Sequence, residues 1–370
     1  MPLFTPQTPP PAELEARLRL HRLPDTGAAH FRLLLDAFGS ASAALSAPAA
    51  AWRALGLSQA SADARRSAAV REAASAALRW LEAPQHHVLA IDSPTYPALL
   101  KEIPNPPALL FVAGDPGVLE RPQLAMVGSR RASAPGLDTA RAFSRSLASA
   151  GFVITSGLAV GIDGAAHRAA LDAGGATVAV LGSGLENIYP QRHLRLASAI
   201  AEQGGALVSE FPLDSPPTRE TFPQRNRIIS GLSLGVLVVE ANIASGSLIT
   251  ARLAAEQGRE VFAVPGSIHH PGMKGCHQLI RDGAQLVETV QHILEGLRGW
   301  QGLAPSAVIE PAAAPRRDPL IQRLLAAPQS AEQLAASLGW PLPKVLVALT
   351  EHELAGAVVC EAGRWFGRPG

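Results

Sequence analysis

The segment Gln123-Leu-Ala-Met-Val-Gly-Ser-Arg130 joins a short apolar run directly to a turn of small residues and an arginine. Further apolar runs follow it, each separated from the next by a helix-like or turn-rich stretch. Apolar strands that alternate with helices are typical of a parallel sheet buried on both faces, with right-handed crossovers. We therefore expect a doubly wound, mostly parallel α/β domain. Its predicted strands are 123–127, 152–155, 177–181, 206–209, 235–239, 260–264 and 285–287.

The residues before this domain predict a small all-α unit. Two short helices, 14–23 and 31–38, are joined by a Pro-Asp-Thr-Gly turn, which is typical of a helix-hairpin-helix. Alanine-rich helical runs at 41–57 and 61–82 complete the unit, which ends near residue 84. The glycine turn of such a unit either contacts a DNA backbone or serves packing alone.

Proline and alanine mark the remaining boundaries. Residues 1–13 predict a disordered tail, and residues 301–318 predict a linker. The last 52 residues predict a winged-helix-like unit of three helices and a hairpin, at 320–326, 330–338, 344–352 and 357–366. The predicted domains are thus N-terminal helical 14–84, α/β 85–300 and winged-helix-like 319–370.

The composition excludes several classes of protein. Hydrophobic residues make up 47% of the 370 residues and charged residues 17%, which argues against general disorder. A formal net charge of +1 excludes a polycation that coats nucleic acid by bulk attraction. The two cysteines, Cys276 and Cys360, cannot form a disulfide framework. No apolar run reaches the length of a membrane span and no secretory signal opens the chain, so we predict a cytoplasmic protein without a membrane partner.

Small residues and arginine follow most of the predicted parallel strands. Because open parallel sheets bind ligands at the carboxyl ends of their strands, these loops form one candidate site. Glycine and serine let backbone N–H groups approach an anion, and a following helix adds its positive end. We predict a phosphate-bearing ligand held by Gly128, Ser129, Arg130, Ser156, Gly157, Gly182, Ser245, Gly246 and Ser247.

Familiar catalytic and cofactor motifs are missing from the sequence. There is no G-x-G-x-x-G turn and no G-x-x-x-x-G-K-[ST] loop, and nothing places a base beside a serine nucleophile. His269, His270, Cys276 and His277 match no standard zinc spacing, and we interpret His167 as structural. We therefore predict no catalytic residue, no metal and no cofactor.

The segment Thr218-Arg-Glu-Thr-Phe-Pro-Gln-Arg-Asn-Arg227 predicts a proline-flanked loop rich in arginine around one aromatic residue. Arginine grips phosphate and an aromatic face stacks on a base, which is how proteins hold single strands without strong sequence preference. The alternative is that Arg225 and Arg227 brace the sheet while Phe222 belongs to the core. The remaining predicted DNA-contacting residues are Arg219, Phe222, Arg225, Asn226 and Lys274.

The central domain closely resembles the DNA-processing protein A family, also called Smf. The chain departs from the family pattern at Val160, where arginine is usual, and at Cys276-His277, where a small polar or asparagine-containing pair is common. The resemblance rests on ordered motifs across most of 85–300: Asp92-Ser-Pro-Thr-Tyr-Pro97, Val127-Gly-Ser-Arg130, Ser156-Gly-Leu-Ala-Val-Gly-Ile-Asp163, Ala166-His167, Tyr189-Pro190, Phe222-Pro-Gln-Arg-Asn-Arg-Ile-Ile229, Ser245-Gly-Ser-Leu-Ile-Thr250, Gly258-Arg-Glu-Val261 and Val264-Pro-Gly266.

This resemblance implies an extended Rossmann-like domain flanked by an N-terminal helical domain and a C-terminal winged-helix-like domain. Family members bind single-stranded DNA, shield incoming strands during natural transformation, and load the RecA recombinase onto DNA covered by single-strand-binding protein. They are not known as enzymes, and they form homodimers through the central domain. By resemblance, Arg130, Arg219 and Phe222 carry DNA contact.

Two other classes remain open. A related fold occurs in phosphoribohydrolases and lysine-decarboxylase-like proteins, so an enzyme acting on a nucleotide monophosphate is one alternative. Those proteins carry a P-G-G-x-G-T-x-x-E loop, whereas this chain has Ser245-Gly-Ser-Leu-Ile-Thr250 without the glutamate. A protein-interaction scaffold is the other.

Overall fold

A computed structural model describes residues 10–297, 318–361 and 363–367 of the chain. It separates into two compact units that divide between residues 304 and 305. Residues 1–9 of the predicted tail and 301–317 of the predicted linker lie outside the described residues.

The first unit begins with short helices. Serines at positions 40, 58 and 67 accept hydrogen bonds from backbone N–H groups at the starts of three of them, as N-cap residues do. Each predicted alanine-rich run is two helices, because Pro48 and the Ser67 cap interrupt them. The helices are α1 (Pro11–His21), α2 (Ala28–Phe38), α3 (Ala41–Ser46), α4 (Ala49–Ala54), α5 (Gln59–Ala64) and α6 (Ala68–Trp80).

These helices pack around large buried side chains. Trp52 is fully buried, and its indole N–H donates to the carbonyl of Ala44 at 2.8 Å. At the end of α6, Trp80 stacks on His86 with ring centroids 3.8 Å apart and meets Phe111 of the sheet edge to face. The helical part and the sheet therefore share a continuous apolar core.

The sheet has nine strands, all in the first unit. They are β1 (His86–Ala90), β2 (Leu109–Gly114), β3 (Gln123–Val127), β4 (Val153–Ser156), β5 (Thr177–Val180), β6 (Ala206–Ser209), β7 (Gly235–Val238), β8 (Glu260–Ala263) and β9 (Gln285–Leu286). Their order is β1-β2-β6-β5-β4-β3-β7-β8-β9. The seven strands from β3 to β9 are parallel, as predicted, whereas β2 pairs antiparallel with β6 and with β1.

The antiparallel strands β1 and β2 are absent from the sequence prediction. No full crossover helix separates them, since only the single turn of α7 (Ala98–Lys101) lies between them. The prediction relied on apolar strands that alternate with helices, and the sequence of β1 and β2 lacks that alternation. The two strands extend the sheet on the side where α1–α6 pack.

Helices cover both faces of the sheet, and each face has its own apolar core. They are α7 (Ala98–Lys101), α8 (Ala134–Ser149), α9 (Ile162–Asp172), α10 (Leu194–Glu202), α11 (Thr221–Gly231), α12 (Ser247–Glu256), α13 (Lys274–Arg281) and α14 (Val290–Gly296). The fold is the expected extended Rossmann-like, mostly parallel α/β sheet.

The second unit is the expected winged helix. Its helices α15 (Pro319–Ala326), α16 (Ala331–Leu338) and α17 (Leu342–Leu354) precede a hairpin of β10 (Val358–Glu361) and β11 (Arg364–Gly367). Ser330 and Gln333 form a capping box at the start of α16, and Gly339 ends that helix in the left-handed conformation. Across both units, no helix in the described part of the chain is long and apolar enough to cross a membrane.

Candidate nucleic-acid interface

The order in which strands are added to the sheet reverses at β3. From β3 the chain places β4, β5 and β6 on one side, and then crosses to place β7, β8 and β9 on the other. Loops that follow β3 and β7 diverge at such a switch point and leave a crevice at the carboxyl ends of the strands. This is where a ligand site is expected from the topology.

A cleft of about 800 Å³ occupies this position. Most of the predicted DNA-contacting residues line it: Gly128, Ser129, Arg130, Arg219, Phe222, Arg225, Asn226, Ser245, Gly246 and Ser247. The remaining four, Ser156, Gly157, Gly182 and Lys274, do not. The other lining residues are Val127, Arg131, Ala159, Asp163, Tyr189, Pro217, Thr218, Pro223, Ile229, Asn242, Ala244, Ile249 and Thr250.

The segment predicted as a proline-flanked loop is helical from Thr221 onward. Thr218 and Thr221 exchange hydrogen bonds between their hydroxyls and backbone N–H groups, which fixes the start of α11. Pro223 lies in the first turn of the helix, where a missing N–H costs nothing. Phe222, Arg225 and Asn226 therefore project from a rigid element.

Gly157 and Gly182 make room for side chains of α11. A Cβ at Gly157 would lie 2.6 Å from the guanidinium of Arg225, and a Cβ at Gly182 would lie 2.7 Å from the ring of Phe222. Real side chains do not approach so closely. The structure thus places both glycines against the protein's own arginine and phenylalanine.

The last two predicted residues also lie apart from the cleft. Ser156 is fully buried, and its hydroxyl donates to the carbonyl of Met126 at 2.6 Å, which ties β4 to β3. Lys274 begins α13 with an exposed side chain.

Arg225 is buried in the floor of the cleft and is 4% exposed. Its guanidinium donates to the carbonyls of Gly157, at 2.9 Å, and Val180, and its Nε donates to Asn226. Burial lowers the pKa of Arg225 to about 10, against the charge of Asp163. Arg225 remains a cation and braces the loops after β4 and β5. This agrees with the alternative interpretation of the sequence, in which Arg225 braces the sheet.

Asp163 is the carboxylate beside this arginine. One of its oxygens accepts hydrogen bonds from the backbone N–H groups of Gly157, at 3.1 Å, and Ala159, at 3.4 Å. Burial raises the pKa of Asp163, while Arg225 and the two N–H donors oppose that rise. We call Asp163, Arg225 and Asn226 the buried floor. N–H groups predicted to meet phosphate in the loop after β4 already bind a carboxylate.

A second internal carboxylate fills the helix start after β3. Glu240, 2% exposed, follows β7 and accepts from the backbone N–H of Ser133, at 3.1 and 3.2 Å, and from its hydroxyl, at 2.5 Å. Gly136 lies so close that a Cβ there would meet the Glu240 carboxylate at 2.4 Å. In dinucleotide-binding folds, the corresponding helix start receives a pyrophosphate.

The open side of the cleft carries three exposed arginines. Arg130 and Arg131 come from the loop after β3, and Arg219 comes from the segment before α11. We call them the rim arginines. Within the described part of the chain, none of their guanidiniums donates a hydrogen bond or joins an ion pair.

Phe222 is half-buried at the wall between rim and floor. The guanidinium carbon of Arg130 lies over its ring, 5.3 Å from the centroid, and the Tyr189 ring lies 5.8 Å away. Together with the contact at Gly182, these neighbours surround the ring. Phe222 is neither a core residue nor a free aromatic surface.

The loop after β7 closes the opposite side of the cleft. Ser245 and Ser247 share a hydrogen bond of 2.7 Å between their hydroxyls, and Gly246 is exposed at the start of α12. Asn226 of the buried floor reaches the carbonyl of Gly246 at 3.4 Å. The start of α12 therefore presents a positive helix end to the cleft, opposite the rim arginines.

Of the four residues weighed as metal ligands, His270, Cys276 and His277 have local side-chain contacts, and His269 is exposed. His270 accepts from the N–H of Gly272 at 2.9 Å, and His277 lies 3.0 Å from the carbonyl of Gly266. Cys276 is buried, which raises the pKa of its thiol to about 11. Among the described residues, no three histidine, cysteine or acidic side chains are grouped as metal ligands would be.

His167 lies fully buried in α9, behind the cleft. The Thr177 hydroxyl donates to the carbonyl of Ile154 at 2.5 Å, so it accepts from Nδ1 of His167, 2.7 Å away. The Nε2 atom of His167 has no partner in the described structure. Burial lowers the pKa of His167 to about 3, and the ring is neutral.

Sequence reasoning missed Arg131, Tyr189 and Asn242 as cleft residues. Arg131 directly follows Arg130, a predicted contact residue, so the same turn motif could have predicted it. Tyr189 follows β5 by a long loop, and only the fold brings it opposite Phe222. Its single sequence signal was the Tyr-Pro pair.

Three family models match the chain. The model described as DNA recombination-mediator protein A matches residues 87–298. A DprA-like N-terminal HHH domain matches residues 11–75, and a DprA winged helix domain matches residues 304–364.

The chain is also similar to several known proteins. It is 49% identical to Protein Smf of Escherichia coli K12 over 300 residues, covering 79% of this chain and 80% of that protein. The solved DNA processing protein A from Streptococcus pneumoniae has a TM-score of 0.63 and 35% identity, over 79% of this chain and 98% of that one. A Helicobacter pylori DNA processing protein A, described for its single-stranded DNA binding mode, has a TM-score of 0.52 and 30% identity, over 58% and 95%.

With the same central fold, the same flanking domains and this degree of identity, the chain belongs to the DNA recombination-mediator protein A family.

Proposed function

We propose that this protein binds single-stranded DNA in the cleft at the switch point of its sheet. The observation that carries the proposal is the set of three rim arginines, which are exposed and have no described hydrogen-bond or ion-pair partner. Unpaired guanidiniums around a concave surface are suited to phosphate, because each presents a planar fork of donors.

The shape of the cleft favours a flexible strand. Its three exposed arginines and the start of α12 line the same concave opening. A single strand can bend its phosphates into such an opening and expose its bases to the aromatic wall, whereas a duplex cannot. The net charge of +1 gives little attraction for a stiff duplex elsewhere. The single-stranded DNA binding described for the Helicobacter pylori relative supports this proposal.

The finer role that we propose follows the family. The protein shields incoming single strands and loads the RecA recombinase onto them during natural transformation and recombination, in the cytoplasm. It meets single-strand-binding protein on that DNA, and it works as a homodimer, which sets two clefts along one strand. The DNA processing proteins of Bacillus subtilis and Streptococcus pneumoniae, 44% and 47% identical over their matched parts, support a role in DNA processing.

We propose that the protein is not an enzyme. Asp163 is the one acidic side chain among the residues that line the cleft, and it is buried against two N–H groups and Arg225. General acid–base catalysis needs a titratable group, most often histidine or a carboxylate, within reach of the substrate, and the lining of this cleft has no histidine and no other carboxylate. The phosphoribohydrolase alternative therefore has no supporting residue in this cleft.

Fluorescence anisotropy tests the binding proposal. We expect tighter binding to a labelled single-stranded oligonucleotide than to the duplex of the same length at physiological salt. Replacing both Arg130 and Arg219 with alanine should abolish the preference, and Arg252→Ala, an exposed arginine outside the cleft, is the matched control.

Equal affinity for the two DNA forms in the parent protein would contradict the proposal. Release of base or phosphate from a nucleotide monophosphate, measured in parallel, would favour the enzyme.

A further inference from the structure

We propose that a second group of arginines, outside the cleft, binds the phosphates of the DNA strand where it leaves the cleft. The group consists of Arg168 on α9, Arg192 just before α10, and Arg195 in the first turn of α10, and we call them the outer arginines. None of them lines the cleft. The inference rests on the proposed function and adds a separate DNA-binding surface to it.

The first observation is that the donors of this group are unused. All three outer arginines are exposed, and within the described part of the chain none of their guanidiniums donates a hydrogen bond or joins an ion pair. Even Asp172, one helical turn after Arg168, does not pair with it. Other exposed arginines do pair, as Arg141 does with Asp138 at 2.6 Å. Free guanidiniums that lie together are suited to phosphate.

The second observation is that α9 and α10 bring these cations together. A Cβ added to Gly164 would lie 2.6 Å from Cε1 of His193 and 3.2 Å from a guanidinium nitrogen of Arg168. His193 follows Arg192 directly and is the N-cap of the helix that contains Arg195. The outer arginines therefore belong to one surface, where α9 packs against α10.

The third observation is that this surface is continuous with the cleft. Nδ1 of His193 donates to the carbonyl of Leu158 at 2.8 Å, and the next residue, Ala159, lines the cleft. Tyr189, three residues before Arg192, lines it as well. A strand that leaves the cleft between Ala159 and Tyr189 meets the outer arginines next.

The chemistry of the surface fits the DNA backbone rather than the bases. The exposed residue between Arg192 and Arg195 is Leu194, which offers no ring for stacking. Contacts to phosphate are independent of sequence and fix the path of a strand. Other single-strand-binding domains cover about 4–16 nucleotides, so a strand can extend beyond its main pocket. The outer arginines thus lengthen the bound segment without reading it.

The experiment measures binding of the full chain to oligothymidines of about 6 and about 20 nucleotides by fluorescence anisotropy at three salt concentrations. In the combined variant Arg168→Ala, Arg192→Ala and Arg195→Ala, we expect the longer strand to bind about tenfold more weakly. The slope of its log K against log salt should fall by about 0.7 per lost contact, or about 2 in total. The short strand should bind as it does to the parent, because the cleft alone holds it.

The matched control removes the same charge elsewhere. Arg53, Arg71 and Arg121 are exposed and lie outside the cleft lining, the last of them before β3, at the strand end opposite the cleft. Their combined alanine variant should bind both strands like the parent. Lysine at the three outer positions should retain most of the salt dependence, because a point charge still meets phosphate. A homodimer does not disturb the comparison, since every variant keeps both clefts.

An unchanged salt slope for the longer strand in the alanine variant of the outer arginines would overturn the inference. An equal loss for both strands would also overturn it, because the outer arginines would then act on the cleft itself. In both cases the proposed function stands as long as the parent prefers single strands and the short strand is lost on replacing Arg130 and Arg219. A parent protein that binds neither strand removes the proposed function itself.

Discussion

Arginine serves two different purposes on the two sides of this cleft. The rim arginines Arg130, Arg131 and Arg219 are exposed and have no described hydrogen-bond or ion-pair partner. Arg225, in the buried floor, is 4% exposed, and its donors are directed at two carbonyls and an amide. The same side chain has unused donors where water reaches it and is a brace where water does not.

This difference gives a criterion for similar sites. A cation contributes to phosphate binding only when its donors are unused before the ligand arrives. A buried cation with satisfied donors contributes to the shape of the site, and its removal leaves unsatisfied carbonyls. Substitutions on the two sides should therefore appear in different measurements.

Arg225→Ala should have the largest effect. Removing this buried cation leaves the Gly157 and Val180 carbonyls without their donor and takes away the positive charge that favours the buried Asp163 carboxylate, which costs about 3–5 kcal/mol of unfolding free energy. Urea denaturation followed by circular dichroism measures this loss. Arg219→Ala is the matched control and should unfold like the parent. Comparable stability of the two variants would break the comparison.

His167 sharpens the comparison, because it is a second buried nitrogen-containing side chain, and its Nε2 atom has no hydrogen-bond partner in the described structure. Its pKa is lowered to about 3 in the folded protein, whereas an unfolded histidine titrates near 6.5. The unfolded chain therefore binds the proton first as pH falls, so stability decreases below about pH 6.5. Between pH 7 and pH 5 we expect this group to remove about 2 kcal/mol.

His167→Asn tests this effect by keeping an N–H donor for Thr177 without a titrating ring. The variant's free energy of unfolding, from urea melts at the two pH values, should fall by about 2 kcal/mol less than that of the parent. An identical fall in both proteins would assign the acid sensitivity to other groups.

Substitution of the rim arginines should have a smaller effect, which is confined to DNA binding. Arg130→Ala and Arg219→Ala should each weaken single-stranded DNA binding about fivefold and lower the slope of log K against log salt by about 0.7 per lost phosphate contact. Titrations at three salt concentrations give the slope. Unchanged slopes in both variants would mean that the rim arginines do not meet phosphate.

Lys274→Ala should have the smallest effect. The side chain is exposed but lies outside the cleft lining, although its segment predicted a DNA contact. We expect affinity to change by less than about twofold. A loss equal to that of Arg219→Ala would extend the binding surface beyond the rim to the start of α13.

The sequence predicted the parallel strands well because each is a continuous apolar run between helices. It missed β1 and β2, whose antiparallel pairing has no such rhythm. It located most of the cleft, since the loops after β3 and β7 must meet at the switch point. The sequence could not show whether a residue lies at the rim or in the buried floor. Arg219 and Arg225 belong to one arginine-rich segment, and only the direction of α11 separates them.

The glycines show the same limit. Gly157 and Gly182 are small because another atom approaches them, and a sequence does not say whether that atom belongs to a ligand or to the protein. The structure assigns the approach to Arg225 and Phe222.

Glu240 has a consequence for selectivity in a living cell, where free nucleotides are abundant. Its carboxylate occupies the helix start at which dinucleotide-binding folds receive the pyrophosphate of their cofactor. A negative charge at that point repels a compact, highly charged competitor such as ATP. A long strand avoids this repulsion, because it distributes its charge along the rim, one phosphate at a time. If the cleft binds single strands as we propose, Glu240 is a resident anion that disfavours a compact nucleotide at this helix start more than a long strand at the rim.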